Sequence, residues 1–555
     1  MKSAPRRSAG TPSRDRSAQL DAGGDAASRG VAGRGAAGRG FSGRGSRRGF
    51  AALCVALASM LVLSACTIPF LPTPTAKPST STVDPSIAAS APEGLEKFYS
   101  QSVEWSSCED GYHCGKVQVP KDYANPGSGD ITLSVIKLPS TGNKQGSILV
   151  NPGGPGGSGV DFIKDAGNTH FTEKLRANYD VVGFDPRGVG RSAPVTCMTD
   201  AERDAAREKV FRKNTDEGLA AALAFNKAFA EQCAQQTGDV LGHIDTVSAA
   251  KDLDILRAVA NDAKLNYLGF SYGTFLGSTY ASLFPDNVGR VVLDGAVDPA
   301  ISNEELTAGQ ARAFEKALRT YVASCQGQQQ CPLSGSVDNG VQEIRDLINA
   351  VDQNPQTAKD GRLVTSNDFV NGLILPLYND QSWPALTQAL ESAFSGDVSQ
   401  MMRLADLGAD REPNGTYSSN SAFAFQAINC LDYPMVTDTA GMRAEEVRLL
   451  QDSPTFGAFF AYGGVTCKDW PYPSTRTPAP VEYNGSAPIV VVGTTGDPAT
   501  PLEWSQSLRK QLENASLVTW EGEGHTAYGR ANSCVSTAVD DYFVDGKLPQ
   551  DGLKC

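Results

Sequence analysis

A chain of 555 residues, 40% hydrophobic and 20% charged, can bury a large core in more than one domain and has the composition of a globular protein in water. Its net charge is -13, and because the first 48 residues carry +8, the remainder holds -21. Basic character confined to one end argues against nucleic acid as a partner of the folded part. Twelve cysteines with no C-x-x-C pair, beside only four histidines, argue against a zinc site, so no metal is expected.

Residues 1–48 are rich in Gly, Ala, Ser and Arg and cannot build a core, which marks them as a disordered arm and the basic start of a signal; an RNA-binding arm is the alternative. After Ser46-Arg47-Arg48-Gly49-Phe50, which is similar to a twin-arginine export signal, comes an apolar run that closes on Leu63-Ser64-Ala65-Cys66. Residues 49–65 therefore read as signal and lipobox, with Cys66 the lipid-bearing residue and an uncleaved membrane anchor the rival. Residues 66–93, rich in Pro and Thr, read as a semi-extended tether holding the body at the outer face of the membrane.

The folded body is expected from 94 on. Strands are predicted at 131–138, 147–150 and 179–184, a helical excursion over 201–236, and a helix over 247–260 that leads into a strand at 265–270. A helix follows from Gly273, then a strand over 288–293. Alternation of this kind predicts an α/β fold with a doubly wound, mostly parallel sheet, whose first part is 94–300. Between 301 and 480 the alternation gives way to amphipathic helices broken by Gly, Pro and Asn, which predicts a largely helical inserted cap. Strands resume at 488–492 and 516–520, so the sheet domain closes with 481–555. The ten cysteines of the body, Cys108, Cys114, Cys197, Cys233, Cys325, Cys331, Cys430, Cys467, Cys534 and Cys555, read as disulfides between sequence neighbours in an oxidising compartment.

Chemistry concentrates at the strand ends. Gly269-Phe270-Ser271-Tyr272-Gly273 is G-x-S-x-G between a strand and a helix, the context in which the motif exposes a serine nucleophile. Serine needs a base, an acid and an oxyanion hole. Of the four histidines only His525 follows a late strand; His113, His170 and His243 lie elsewhere. Asp497 follows the strand before it and completes the order Ser, Asp, His, with Asp294, also at a strand end, as the competitor. The glycine-rich loop Asn151 to Gly159 follows the strand 147–150 and has no Lys-Ser/Thr of a phosphate loop, so it reads as an oxyanion loop. Gly154 and Tyr272 are the expected N–H donors, Gly153 a close rival to the first. Asp185 and Arg187, after the strand 179–184, read as a pair that fixes their loop.

With these residues placed, the chain resembles the actinobacterial secreted tripeptidyl aminopeptidase family of α/β-hydrolases. The resemblance rests on Val119-Pro120-Lys121-Asp122-Tyr123, NPGGPGGSG, FDPRGVGRS, DLDILRAVA, the serine region, Ala427-Ile428-Asn429-Cys430-Leu431-Asp432, GTTGDPATP and GEGHTAY, and covers the body from about Cys108 to Cys555. It implies a Ser271–His525–Asp497 triad, acyl transfer without a metal or organic cofactor, and peptide or protein substrates with free N-termini. Relatives of that family include esterases and proline iminopeptidases, so an envelope esterase or lipase on the same triad, or a proline iminopeptidase-like activity, is the alternative. An aminopeptidase must also hold a substrate ammonium, and Asp432, beside Cys430 in the cap, is the candidate carboxylate.

Overall fold

The computed structural model describes residues 79–109 and 111–555. The arm, the apolar signal run, Cys66 and the first part of the tether lie outside the described residues. Strands β1 (Ser79–Ser81), β2 (Val103–Glu109), β3 (Tyr112–Pro120), β4 (Asp130–Leu138), β5 (Gly146–Asn151), β6 (Tyr179–Phe184), β7 (Leu265–Phe270) and β8 (Val288–Asp294) precede the helical region. Within that region β9 (Gln356–Thr357) and β10 (Leu363–Val364) form a small separate hairpin. After it come β11 (Ile489–Gly496), β12 (Ala515–Glu523) and β13 (Leu553–Lys554).

The main sheet runs β1-β2-β3-β4-β6-β5-β7-β8-β11-β12-β13. Pairing is antiparallel from β1 to β6 and parallel from β6 onward. The central strands β5 and β6 are buried along their whole length, as parallel strands covered on both faces must be. Alternate side chains go to opposite faces: Tyr267 and Val491 join one apolar cluster, with the helices Thr246–Val259 and Tyr272–Leu283, whereas Leu268 and Val490 join another, with Gly159–His170 and Ser533–Asp545. Helices on both faces make this a doubly wound α/β sheet, the arrangement that the resemblance to α/β-hydrolases implies.

Between β8 and β11 the chain forms helices from Asn303–Gln326 through Gly457–Phe460; those from Asn303–Gln326 through Ser399–Gly408 gather around an apolar cluster of their own, whereas Ser421–Asp432 packs into the sheet-domain core. Their starts follow local chemistry: Ser302 with Glu305, and Thr365 with Asp368, form reciprocal capping boxes that satisfy free N–H groups at the first turn. The excursion predicted at 201–236 is two helices, Asp200–Arg207 and Asp216–Thr237. Although it leaves the first part of the sheet domain, it is fastened to the inserted helices: Arg207 pairs with Asp368 and Asp406, both at 2.8 Å, and Arg411 with Asp204 at 2.7 Å.

Two regions differ from the sequence reading. Residues 79–93, assigned to the tether, are built into the body: β1 pairs with β2, Trp105 Nε1 donates to Ser81 Oγ at 3.1 Å, and Val83, Ile87 and Ala91 pack on the core. Pro and Thr do not prevent an edge strand when three apolar side chains follow it. The second is the antiparallel start, β2 and β3, whose polar faces hid its alternation. The disulfides Cys108–Cys114, Cys197–Cys233, Cys325–Cys331, Cys430–Cys467 and Cys534–Cys555 join sequence neighbours.

Several of the motifs quoted above meet in one buried ion pair. Arg187 does not pair with Asp185. It binds Asp252 through Nε and Nη2, both at 2.7 Å, and donates to the carbonyls of Pro120, Lys121 and His243. Tyr123 adds its hydroxyl to Asp252 at 2.8 Å. Both ionic side chains are buried, 0% and 2% exposed, so removing one leaves the other uncompensated. Asp252→Ala is expected to lower unfolding free energy by about 3–5 kcal/mol, measurable by denaturant titration.

Candidate active site

Strand β7 delivers Ser271 at its end with φ 55° and ψ -125°, a conformation non-glycine residues rarely adopt. The strain is held from several sides. Ser271 N–H donates to Asp294 O at 2.9 Å, Thr274 Oγ1 donates to Ser271 O at 2.6 Å, and Tyr267 OH donates to Gly273 O at 2.8 Å. Gly273 is required because a Cβ there would stand 2.7 Å from Asn151 O. The Ser271 side chain makes no capping bond to its helix, which leaves its hydroxyl available.

His525 follows β12, and its Nδ1 lies 2.9 Å from each oxygen of Asp497. Asp497, at the end of β11, is oriented by the N–H groups of Ala499 at 2.9 Å, Thr500 at 2.8 Å and Thr526 at 3.2 Å, and by Thr500 Oγ1 at 3.0 Å. A carboxylate facing Nδ1 fixes the proton there and presents Nε2 as the basic nitrogen. From the inserted helices Tyr378 meets this histidine twice: its carbonyl accepts His525 N–H at 2.8 Å, and its ring sits edge-on to the imidazole at 5.4 Å.

Asp294 takes a different part from the acid it competed to be. Its carboxylate accepts Ala527 N–H at 3.0 Å and Tyr528 N–H at 2.7 Å, and its carbonyl holds Ser271. It therefore ties the serine turn to the histidine loop. Burial raises its carboxyl to about 6.

The glycine loop packs on the serine turn. A Cβ on Gly153, whose φ is +97°, would fall 2.6 Å from Phe270 O and 2.8 Å from Ser271 Cβ. Gly153 N–H is taken by Asn151 Oδ1 at 3.0 Å, whereas the N–H groups of Gly154 and Tyr272 have no partner among the described residues. Asp185 anchors the far end of this loop through Ser158 Oγ at 2.5 Å and Val160 N–H at 3.2 Å, and pairs with Arg191.

Asp432, the candidate for a substrate ammonium, is 3% exposed, and both its oxygens receive Thr246, from N–H at 2.9 Å and Oγ1 at 2.6 Å. This placement is inside the protein, under Tyr272, and not on an open wall of the cleft. Burial raises its carboxyl to about 7. Thr500 and Tyr378 were not singled out from sequence. Thr500 had a local signal, an Asp-x-x-Thr turn; Tyr378 had none, being nearly 150 residues from the histidine it covers.

Residues 453–555 match the model of the TAP-like protein family. Over 485 residues the chain is 37% identical to Serine protease Hip1 of Mycobacterium tuberculosis, covering 83% of this chain and 92% of that protein. It is 36% identical over 470 residues to Carboxylesterase B of the same species, covering 81% and 89%. Tripeptidyl aminopeptidase of Streptomyces lividans is 29% identical over 469 residues, covering 82% and 86%.

Two outcomes are expected of this site. Gly153→Ala must push the loop off the serine turn, so activity should fall about a hundredfold while the circular dichroism spectrum is kept. The carboxyls of Asp294 and Asp432 rise from 3.8 to about 6 and about 7 in the folded protein, so the native state holds protons that the unfolded chain has released, and stability from these groups falls as pH rises between those values. Thermal melts at about pH 5 and pH 8 should show a smaller loss for Asp432→Asn than for wild type.

Proposed function

The chain belongs to the TAP-like family of α/β-hydrolases and is a serine peptidase; from that premise we propose that Ser271, His525 and Asp497 form its triad and that it releases short peptides, tripeptides foremost, from free N-termini. The observation that carries this reading is the Asp497–His525 pair at the same sheet edge as a serine held at φ 55°.

His525 takes the Ser271 proton as Oγ attacks the scissile carbonyl, and Asp497 stabilises the imidazolium. The free N–H groups of Gly154 and Tyr272 receive the oxyanion. Their lack of partners favours Gly154 over Gly153 as donor. His525 then protonates the leaving amine, and water repeats the sequence on the acyl-enzyme. Residues 301–480, with the fastened excursion 200–237, are read as the cap that selects substrate. Export, with Cys66 lipidated and the body held outside the membrane, is the location that the sequence supports.

Ester hydrolysis by the same triad is the second reading, favoured by the 36% identity to Carboxylesterase B. Matched substrates separate the two: a free-amine tripeptidyl amide, its N-acetyl form, single-residue amides and short-chain esters, each with wild type and Ser271→Ala. The expected result is cleavage of the free-amine tripeptide, reduced about 10⁴-fold or more in Ser271→Ala. Equal cleavage of the acetylated form sinks the exopeptidase reading, ester hydrolysis alone makes the protein an esterase, and cleavage of single-residue amides alone makes it an iminopeptidase-like enzyme.

A further inference from the structure

The inserted helix Ser421–Asp432 reaches both halves of the oxyanion hole. At its start, a Cβ on Gly156 of the glycine loop would lie 2.7 Å from Ser421 O and 3.1 Å from Ala424 Cβ, so the helix rests directly on that loop. Asn420, just before it, accepts Gly190 N–H at 2.9 Å and donates to Gly188 O at 2.9 Å and Val195 O at 3.0 Å. At its end Asp432 grips Thr246, and Thr246 Oγ1 is in turn hydrogen-bonded to Tyr272 OH. Twelve residues of helix span about 18 Å, and Cys430–Cys467 closes the lower end.

The direction of this chain follows from proton counting. Above about pH 7 the Asp432 carboxyl is ionised and can only accept; Thr246 has one hydroxyl proton, so Tyr272 then donates to Thr246 and Thr246 to Asp432. Burial keeps the Tyr272 phenol far above its ordinary range and therefore protonated. Asp432, Thr246 and Tyr272 are 3%, 1% and 8% exposed, so no water competes for these bonds and each is electrostatically strong. The other ionisable groups around the carboxylate are Asp245, at the N-cap of the helix Thr246–Val259, and Arg476, which donates to Asp432 O at 3.4 Å and lies over Phe275 and Tyr433.

Resting on the triad and oxyanion assignment above, we propose that Asp432 is a positioning residue: through Thr246 it holds Tyr272, so that seating of the cap helix sets the oxyanion-hole N–H groups. The cap thereby acts on the chemical step as well as on substrate choice. A docked helix aligns Tyr272 from below and the glycine loop from above.

The test is the rate at which a fluorophosphonate labels Ser271, together with kcat and KM on whichever substrate the wild type cleaves. The phosphonate reads the nucleophile without a peptide, so an error in substrate assignment leaves the result standing. Thr246→Val, Tyr272→Phe and Asp432→Asn should each lower labelling and kcat about 10- to 100-fold with KM held within about twofold. Thr246→Ser, which keeps the hydroxyl, should stay within about threefold of wild type, and Thr246→Val/Tyr272→Phe should be no slower than either single variant. Thermal melts identify any variant that has merely unfolded, and Tyr272→Phe, lacking only one oxygen, carries the decision if Asp432→Asn does. Labelling at the wild-type rate in Thr246→Val and Tyr272→Phe, multiplying losses in the double variant, or a loss confined to KM overturns the proposal; the last would return Asp432 to substrate binding.

Discussion

A single buried residue at the end of β8, Asp294, links the Ser271 turn to the His525 loop. Asp294 is fully enclosed, and an enclosed charge is tolerated only where hydrogen-bond donors surround it. The donors here are the N–H groups of Ala527 and Tyr528 in the histidine loop, while the Asp294 carbonyl accepts the N–H of Ser271. The Ser271 turn and the His525 loop come from chain segments more than 250 residues apart, yet one residue joins them. Burial works against the charge and outweighs these hydrogen bonds, which is why the Asp294 carboxyl is raised to about 6.

The same economy of buried polar groups recurs away from the triad. Asp254 accepts from Arg257, Tyr99, Tyr280 and Asn287, joining the start of the body, the helix Thr246–Val259 and the serine helix. Arg187 with Asp252 joins the loop after β6 to the helix that enters β7. Such pairs add little net stability, because desolvation offsets attraction. Their geometry is nevertheless demanding, and it places the loops around Ser271 in one arrangement.

Much of this was legible in the chain. The parallel strands were readable because strands covered on both faces are continuous apolar runs, and β6 was predicted over the residues it occupies. The meeting of Asp497 with His525 and the place of Ser271 at a strand end were readable because each residue follows a strand in a fixed order. The antiparallel strands β2 and β3 were not, since one face is polar and the alternation is short. The partner of Arg187 was not, because Asp252 lies on a helix 65 residues on and nothing local distinguishes it from Asp185, the carboxylate two residues away. Neither was the fate of Asp432: its neighbour Cys430 indicated rigidity, but burial depends on the helix Thr246–Val259 packing against it.

That last case shows how the inserted helices and the sheet domain constrain each other. A carboxylate on the cap would ordinarily face solvent or substrate. Here it accepts the first N–H of a sheet-domain helix and the hydroxyl of the same residue, a position in which the helix dipole also favours negative charge. Tyr378 does the converse, giving its carbonyl to the backbone of His525. One contact of the inserted helices thus bears on the Ser271 turn and another on the His525 loop. Inserted helices held at both places cannot shift without disturbing the Ser271 turn and the His525 loop, so the contacts favour movement of side chains and loop tips over swinging of the whole inserted region.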